Sequence, residues 1–261
     1  ASSGGLVAAN TTRSTAYSFP TIVTEIGNGS QGANVQVAGS VNVLTFTDTS
    51  TNAVTSGRSG GLVGTGTVSA VALMAADIDT LINTNSTVTT TSGDITLLTL
   101  HNQGGQRANA NSTAAAGGLA AGVGVRSDAA AYADAQTYVN SGAILNSGRN
   151  VGVATYSDNT GFSSSSGDVS GFVAAGSVQS FSTVGGNTEA ELRGINSLSA
   201  NGNLNVVSRA TNDANAYTDA SNGGAISVAG AYSNAYAAPR SEASLGSSGT
   251  IQADGSITTV A

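Results

Sequence analysis

NVQVAGSVNVLTF, residues 34–46, is rewritten four more times along the chain. It returns as STVTTTSGDITLLTL (86–100), AILNSGRNVGVAT (143–155), SLSANGNLNVVSR (197–209) and TIQADGSITTVA (250–261). Each copy is a short alternating run, a Gly-containing turn and a second alternating run. The first apolar residue after the turn is Val41, Ile95, Val151, Leu204 and Ile257, in steps of 54, 56, 53 and 53 residues. The apolar residue before the turn, Val35, Val88, Ile144, Leu198 and Ile251, steps by 53, 56, 54 and 53. So steady a period marks a repeat architecture.

A second landmark alternates with the first. It is a Gly-led apolar run: GGLVAA (4–9), GGLVGTGTVSAVAL (60–73), GGLAAGVGV (117–125), SGFVAAGSV (170–178) and GGAISVAGA (223–231). Leu6, Leu62, Leu119, Phe172 and Ile226 stand 56, 57, 53 and 54 residues apart, so both landmarks keep one phase. Between them the period is 2. In SDAAAYADAQTYV (127–139), Ala129, Ala131, Ala133, Ala135, Thr137 and Val139 share one face, opposite Asp128, Tyr132, Asp134, Gln136 and Tyr138. Ala also favours helices, but the related NDANAYTDA (212–220) and RANANST (107–113) contain Asn and Thr that a helix tolerates poorly, and alternation fits them all, so all are predicted strands.

Repeats of short alternating strands with Gly, Asn, Asp and Ser at the corners predict an all-β fold, a right-handed parallel β-helix or β-solenoid. It would run through residues 1–261 as one continuous domain of about five ~54-residue repeats. The two halves of each repeat predict two turns apiece, hence about ten turns and a rod on the order of 50 Å long. Inward positions are expected to form columns of Val, Ile, Leu and Ala, with Thr, Asn and Ser outside. Pro20 and Pro239 are expected in connections, where a missing N–H costs no ladder bond. No capping helix is legible at either end, so the array is expected to continue into a longer protein or into other copies.

Composition narrows the partners. The eight basic residues are all Arg, and the net charge is -7. That disfavours a nucleic-acid footprint, which needs a clustered basic face, and equally an anionic membrane surface. No apolar run reaches the ~20 residues of a membrane helix, so membrane insertion is not expected. Without Cys, disulfides and thiolate metal sites are impossible.

Candidate chemistry is sparse. His101, the single His, lies in LHNQGGQ and reads as an ordinary loop residue, with no second His or Cys to complete a triad or metal set. Asp77 and Asp79 share a face, as do Glu189, Glu191 and Arg193. The first pair is a weak signal for glycosidase chemistry, and the second set reads as an exposed charge ladder. Thr45, Thr47, Thr49 and Thr51 also share a face, but the positions matching Thr47 are His101, Ser157 and Ala210, so no ice-binding Thr column forms. No catalytic, metal or cofactor residue is predicted, and the chain is not expected to be an enzyme. The outward Tyr132, Tyr138, Tyr217, Tyr232 and Tyr236 are the candidate contact residues, suited to lateral packing or sugar stacking.

Units such as GNLNVVSR and GSVNVLTF, alternating with GGAISVAGAYSNA-type runs, resemble the large β-helical exoproteins of bacteria. These are the filamentous-haemagglutinin-like adhesins and related giant surface proteins. The resemblance implies export and work at the cell surface as an adhesin or fibre, without cofactors. The secretion domain of that family, with its Asn-Pro motifs, has no counterpart here. The expected function is therefore an extracellular structural or adhesive solenoid, partnered by itself and by surface glycans. A carbohydrate-binding adhesin segment and a polysaccharide-active β-helix enzyme are the alternatives.

Overall fold

The period-2 stretches become strands almost wherever they run. In the computed structural model, which describes residues 1–261 apart from the side chain of Ser247, strands fill most of the chain and no helix forms among the described residues. All strand-to-strand pairings are parallel. Val41 lies beside Ile95, Ile95 beside Val151, Val151 beside Leu204 and Leu204 beside Ile257. The fold is a β-solenoid.

The register corrects the turn count. Every ladder joins residues one whole repeat apart, as in Gly60 with Gly117 and Asp168 with Ala115, so one repeat is one turn and not two. The two landmarks are the opposite ends of a single, very elongated turn. Five rungs at about 4.8 Å make a stack only ~24 Å tall, half the expected rod.

Within a turn the chain runs out, folds back and closes. In the third turn one strand is unbroken from Val151 to Ala200, 50 residues, yet Ser165 donates to the Gln179 carbonyl (2.7 Å) and Thr155 to the Glu189 carbonyl (2.7 Å). Such contacts require a reversal near Gly171–Phe172. The outward run from Val41 to Gly60 spans about 60 Å at ~3.3 Å per residue. The molecule is therefore a blade, wider than tall, built of two facing sheets. A short closing strand (Asn34–Val37, Thr87–Thr90, Ile144–Ser147) completes the end opposite the fold-back.

Large apolar side chains gather where three strands meet. Ile82, Val88, Ile95, Leu97, Leu145, Leu192, Leu198 and Leu204 form that core. Along the rest of the blade the interior is small: Ala53, Ala70, Ala72, Ala108, Ala110 and Ala129 around Met74, then Val and Ala near the fold-back. Two apolar assignments shift by one residue. Leu145, not Ile144, pairs with Val88 and enters the core, and Ile226 pairs with Val173, which leaves Ala225 beside Phe172. Where neighbours are both apolar, a slip of one flips the face.

Hydroxyls also line the interior, against expectation. Thr45, Thr47, Thr49 and Thr51 are buried, as are Thr80, Thr99, Ser112, Ser127, Thr137, Thr155, Ser163 and Ser165. Small side chains bring the two sheets close enough for a hydroxyl on one to reach a carbonyl on the other, which keeps a second lone pair after its ladder bond. Ser112 donates to the Arg126 carbonyl at 2.8 Å, Ser127 to Ser164 at 2.7 Å and Thr137 to Ala154 at 2.8 Å. The Thr oxygens also touch one another, Thr45–Thr80–Thr99–Thr137–Thr155, at 2.6 to 2.8 Å. These five are buried and hydrogen-bonded and tie rung to rung as well as sheet to sheet, whereas the Thr51 hydroxyl is buried without a partner.

At the fold-back only glycine fits one position. Gly5, Gly61, Gly118, Gly171 and Gly224 stack, and a Cβ on any of the last four would strike the carbonyl oxygen of the glycine in the preceding rung. Pro239 departs from expectation by lying inside a strand, beside Gly186. It is tolerated because that strand belongs to the last rung, where one side of the ladder is empty.

Candidate functional site

The residue types that could contact a partner stand on three surfaces: the outer face of the outward run, the outer face of the return run, and the fold-back edge. Alternation puts Tyr132, Tyr138, Tyr232 and Tyr236 outside on the return run, while Tyr217 is outside on the opposite broad face. The five tyrosines are thus all outward but do not form one site.

The return face carries the densest grouping. The Arg126 guanidinium lies 4.8 Å from the Phe181 ring centroid, and Phe181 tilts against Tyr232 at 5.6 Å. Asp128 fixes Arg126 with two hydrogen bonds, at 2.7 and 3.0 Å. Tyr236 and Tyr132 flank this group, the Tyr132 ring leaning over Gly185, which has no side chain to displace it. Phe181 and Arg126 were not singled out from sequence. A step of 53 residues places Arg126, Gln179 and Tyr232 on successive rungs, and that was the available signal.

Toward the thick end the same face becomes charged. Arg193 bonds Glu191, approaches Glu189 at 3.5 Å, and lies 4.0 Å over the Tyr138 ring. Tyr138 is therefore half-buried beneath a cation, and burial followed by the nearby Asp79 charge pushes its phenol up. Arg240 joins from the next rung, reaching Glu189 and Glu242. Burial, then the charge of Asp77, raises the Asp79 carboxyl. The acidic groups of this ladder are mostly spoken for by arginine, and Asp77 and Asp79 stand side by side on one strand rather than across a cleft as glycosidase carboxylates do. Among the described residues no three His, Asp or Glu side chains converge as a metal set.

His101 is not a loop residue. It ends the strand Ile95–His101 and is fully buried, its Nε2 3.0 Å from the Thr49 hydroxyl and its Nδ1 3.1 Å from the Ser157 hydroxyl. A Ser–His pair has the outline of a nucleophile and base. Here the core encloses both groups, no carboxylate orients the ring, and burial lowers the imidazole to about 4. The arrangement is structural. Beyond it, Asn102–Arg107 bulges outward with three more residues than Asp48–Ser50 has in the first rung, which accounts for the 56-residue steps to Ile144 and Val151 and the 57-residue step to Leu119, while residues 27–33, three more than 83–86, account for the 56-residue step from Leu6 to Leu62.

No family model, curated protein or solved structure matches the chain.

Proposed function

We propose that the chain is a structural and adhesive solenoid forming the body of an extracellular fibre on a bacterial surface, without catalytic activity. One observation carries this: both terminal rungs offer an open parallel ladder. Among the described residues, 2–18 pair only with 58–74, and 226–253 only with 173–200. Each terminal rung leaves a row of N–H and C=O groups facing outward along the axis, the template that edge strands present to further strands. Inward side chains there stand half open, as with Ile257 at 49%. Both ends of the Asn212 amide, which stacks on Asn159, are buried without a hydrogen-bond partner. Further rungs, from another copy or from repeats continuing the array, would pair these backbone groups, save at Pro239, which has no N–H. The extracellular setting rests on the resemblance of units such as GNLNVVSR and GSVNVLTF to β-helical exoproteins.

Concentrating the purified chain should yield filaments in electron micrographs, with a ~4.8 Å axial reflection in fibre diffraction. Compact monomers whose sedimentation is unchanged up to millimolar concentration would refute stacking.

A second reading, glycan adhesion, draws on the Arg126–Phe181–Tyr232 group, where exposed rings and paired charges suit sugar stacking and hydroxyl recognition. Glycan-array binding should then fall at least tenfold in Tyr232→Ala/Tyr236→Ala. Equal binding by both proteins would discard this reading.

A further inference from the structure

The fold-back edge is an apolar ridge. Leu6, Leu62, Leu119 and Phe172 stack at its apex, and Val7 and Val173 follow on the next row. Exposure here is not an end effect. Leu62, Leu119 and Phe172 have rungs on both sides and are still 54%, 58% and 59% exposed. The stacked glycines hold the apex so tight that the residue after them has no interior to enter. Nor does a single sidedness explain it, since Leu62 and the adjacent Val63 are both exposed.

We propose that this ridge is a lateral interface with the same ridge of a second copy, an inference that rests on the end-to-end stacking proposed above. Three features select that occupant. A partner matching the ridge along its length must present apolar side chains every ~4.8 Å, and a second solenoid edge does so. Charge is nearly absent: within four residues of each apex only Arg58 and Asp168 are ionised, so nothing there steers a charged partner, and the net charge of -7 opposes anionic lipid. Area sets the condition. The ridge side chains of one chain expose several hundred Å², and a ridge-to-ridge contact covers only part of that, short of the ~800 Å² per partner of a stable interface. Single chains therefore stay apart, and pairing begins once stacking lengthens the ridge severalfold. Antiparallel pairing about a two-fold axis closes the contact and sets Leu119, on the middle of five rungs, beside its own copy.

The chain has no Cys, so Leu119→Cys supplies a unique reporter, with Tyr217→Cys on a broad face as control. Under mild oxidation of polymerised material, Leu119→Cys should give mostly disulfide-linked dimers and Tyr217→Cys few. Both should stay unlinked in dilute, unpolymerised samples. Native filaments should be two blades wide, and those of Leu62→Thr/Leu119→Thr/Phe172→Thr one blade wide, with the melting midpoint within about 2 °C of the parent. Filaments of single width in the native protein, or unlinked Leu119→Cys within filaments, would overturn the ridge interface and leave stacking intact. Capture of the native filaments by phosphatidylcholine vesicles, lost in the triple variant, would assign the ridge to lipid instead. Absence of any filament would overturn stacking and the pairing with it.

Discussion

Gly118→Ala should destabilise the protein by about 3 kcal/mol or more, the range of severe backbone collisions, while Gly117→Ala next to it should change stability by less than ~1 kcal/mol. A Cβ on Gly118 would sit well inside contact distance of the Gly61 carbonyl oxygen, which is backbone and not the movable end of a side chain. A Cβ on Gly117 meets nothing closer than the Ser170 hydroxyl at 3.5 Å, an ordinary contact. In thermal melts of the two variants, a fall of several degrees is expected for Gly118→Ala alone. Equal midpoints would mean that the stacked glycines do not set the fold-back.

Stability should also fall as the pH drops from 6.5 to 4, through His101. The ring is fully buried, and burial lowers its pKa to about 4, against 6.5 in the unfolded chain. Between those values the unfolded chain binds the proton and the folded one does not. Acid therefore favours unfolding, by about 1.4 kcal/mol per pH unit and about 3 kcal/mol in all. Below pH ~4 both states are protonated and this contribution stops growing. The window from 6.5 to 5 is cleanest, since carboxylates titrate mainly below it. Urea midpoints across that window should slope in the parent and flatten in His101→Gln; a slope retained by the variant would assign it to other groups.

Much of this architecture was legible because the residues that specify it recur. Val41, Ile95, Val151, Leu204 and Ile257 are one column in sequence and one column in space. The alternation through Ala129 to Val139 placed the inner and outer faces correctly. The turn count was not legible, because strand pairing is a relation between rungs and the two landmarks look alike as corners whether they end one turn or two. The hydroxyl interior was hidden for another reason. Thr99 and Ser165 read as surface residues unless the opposing sheet is known to lie within reach of their oxygens. His101 looked solvent-exposed because Gly and Gln follow it, although its own strand had not yet ended. The tyrosines were correctly read as outward, but their division between two broad faces depends on where the chain folds back.

The hydroxyl-lined interior bears on how this protein responds to temperature. Unfolding it uncovers methyls, hydroxyls and peptide groups along most of the blade, and large aliphatic side chains only at the thick end. Apolar exposure raises the heat capacity of unfolding and polar exposure lowers it. The increment per residue should lie below the ~12–15 cal/mol/K of ordinary globular proteins. A small increment flattens the curve of free energy against temperature, so the blade keeps much the same margin from cold to warm.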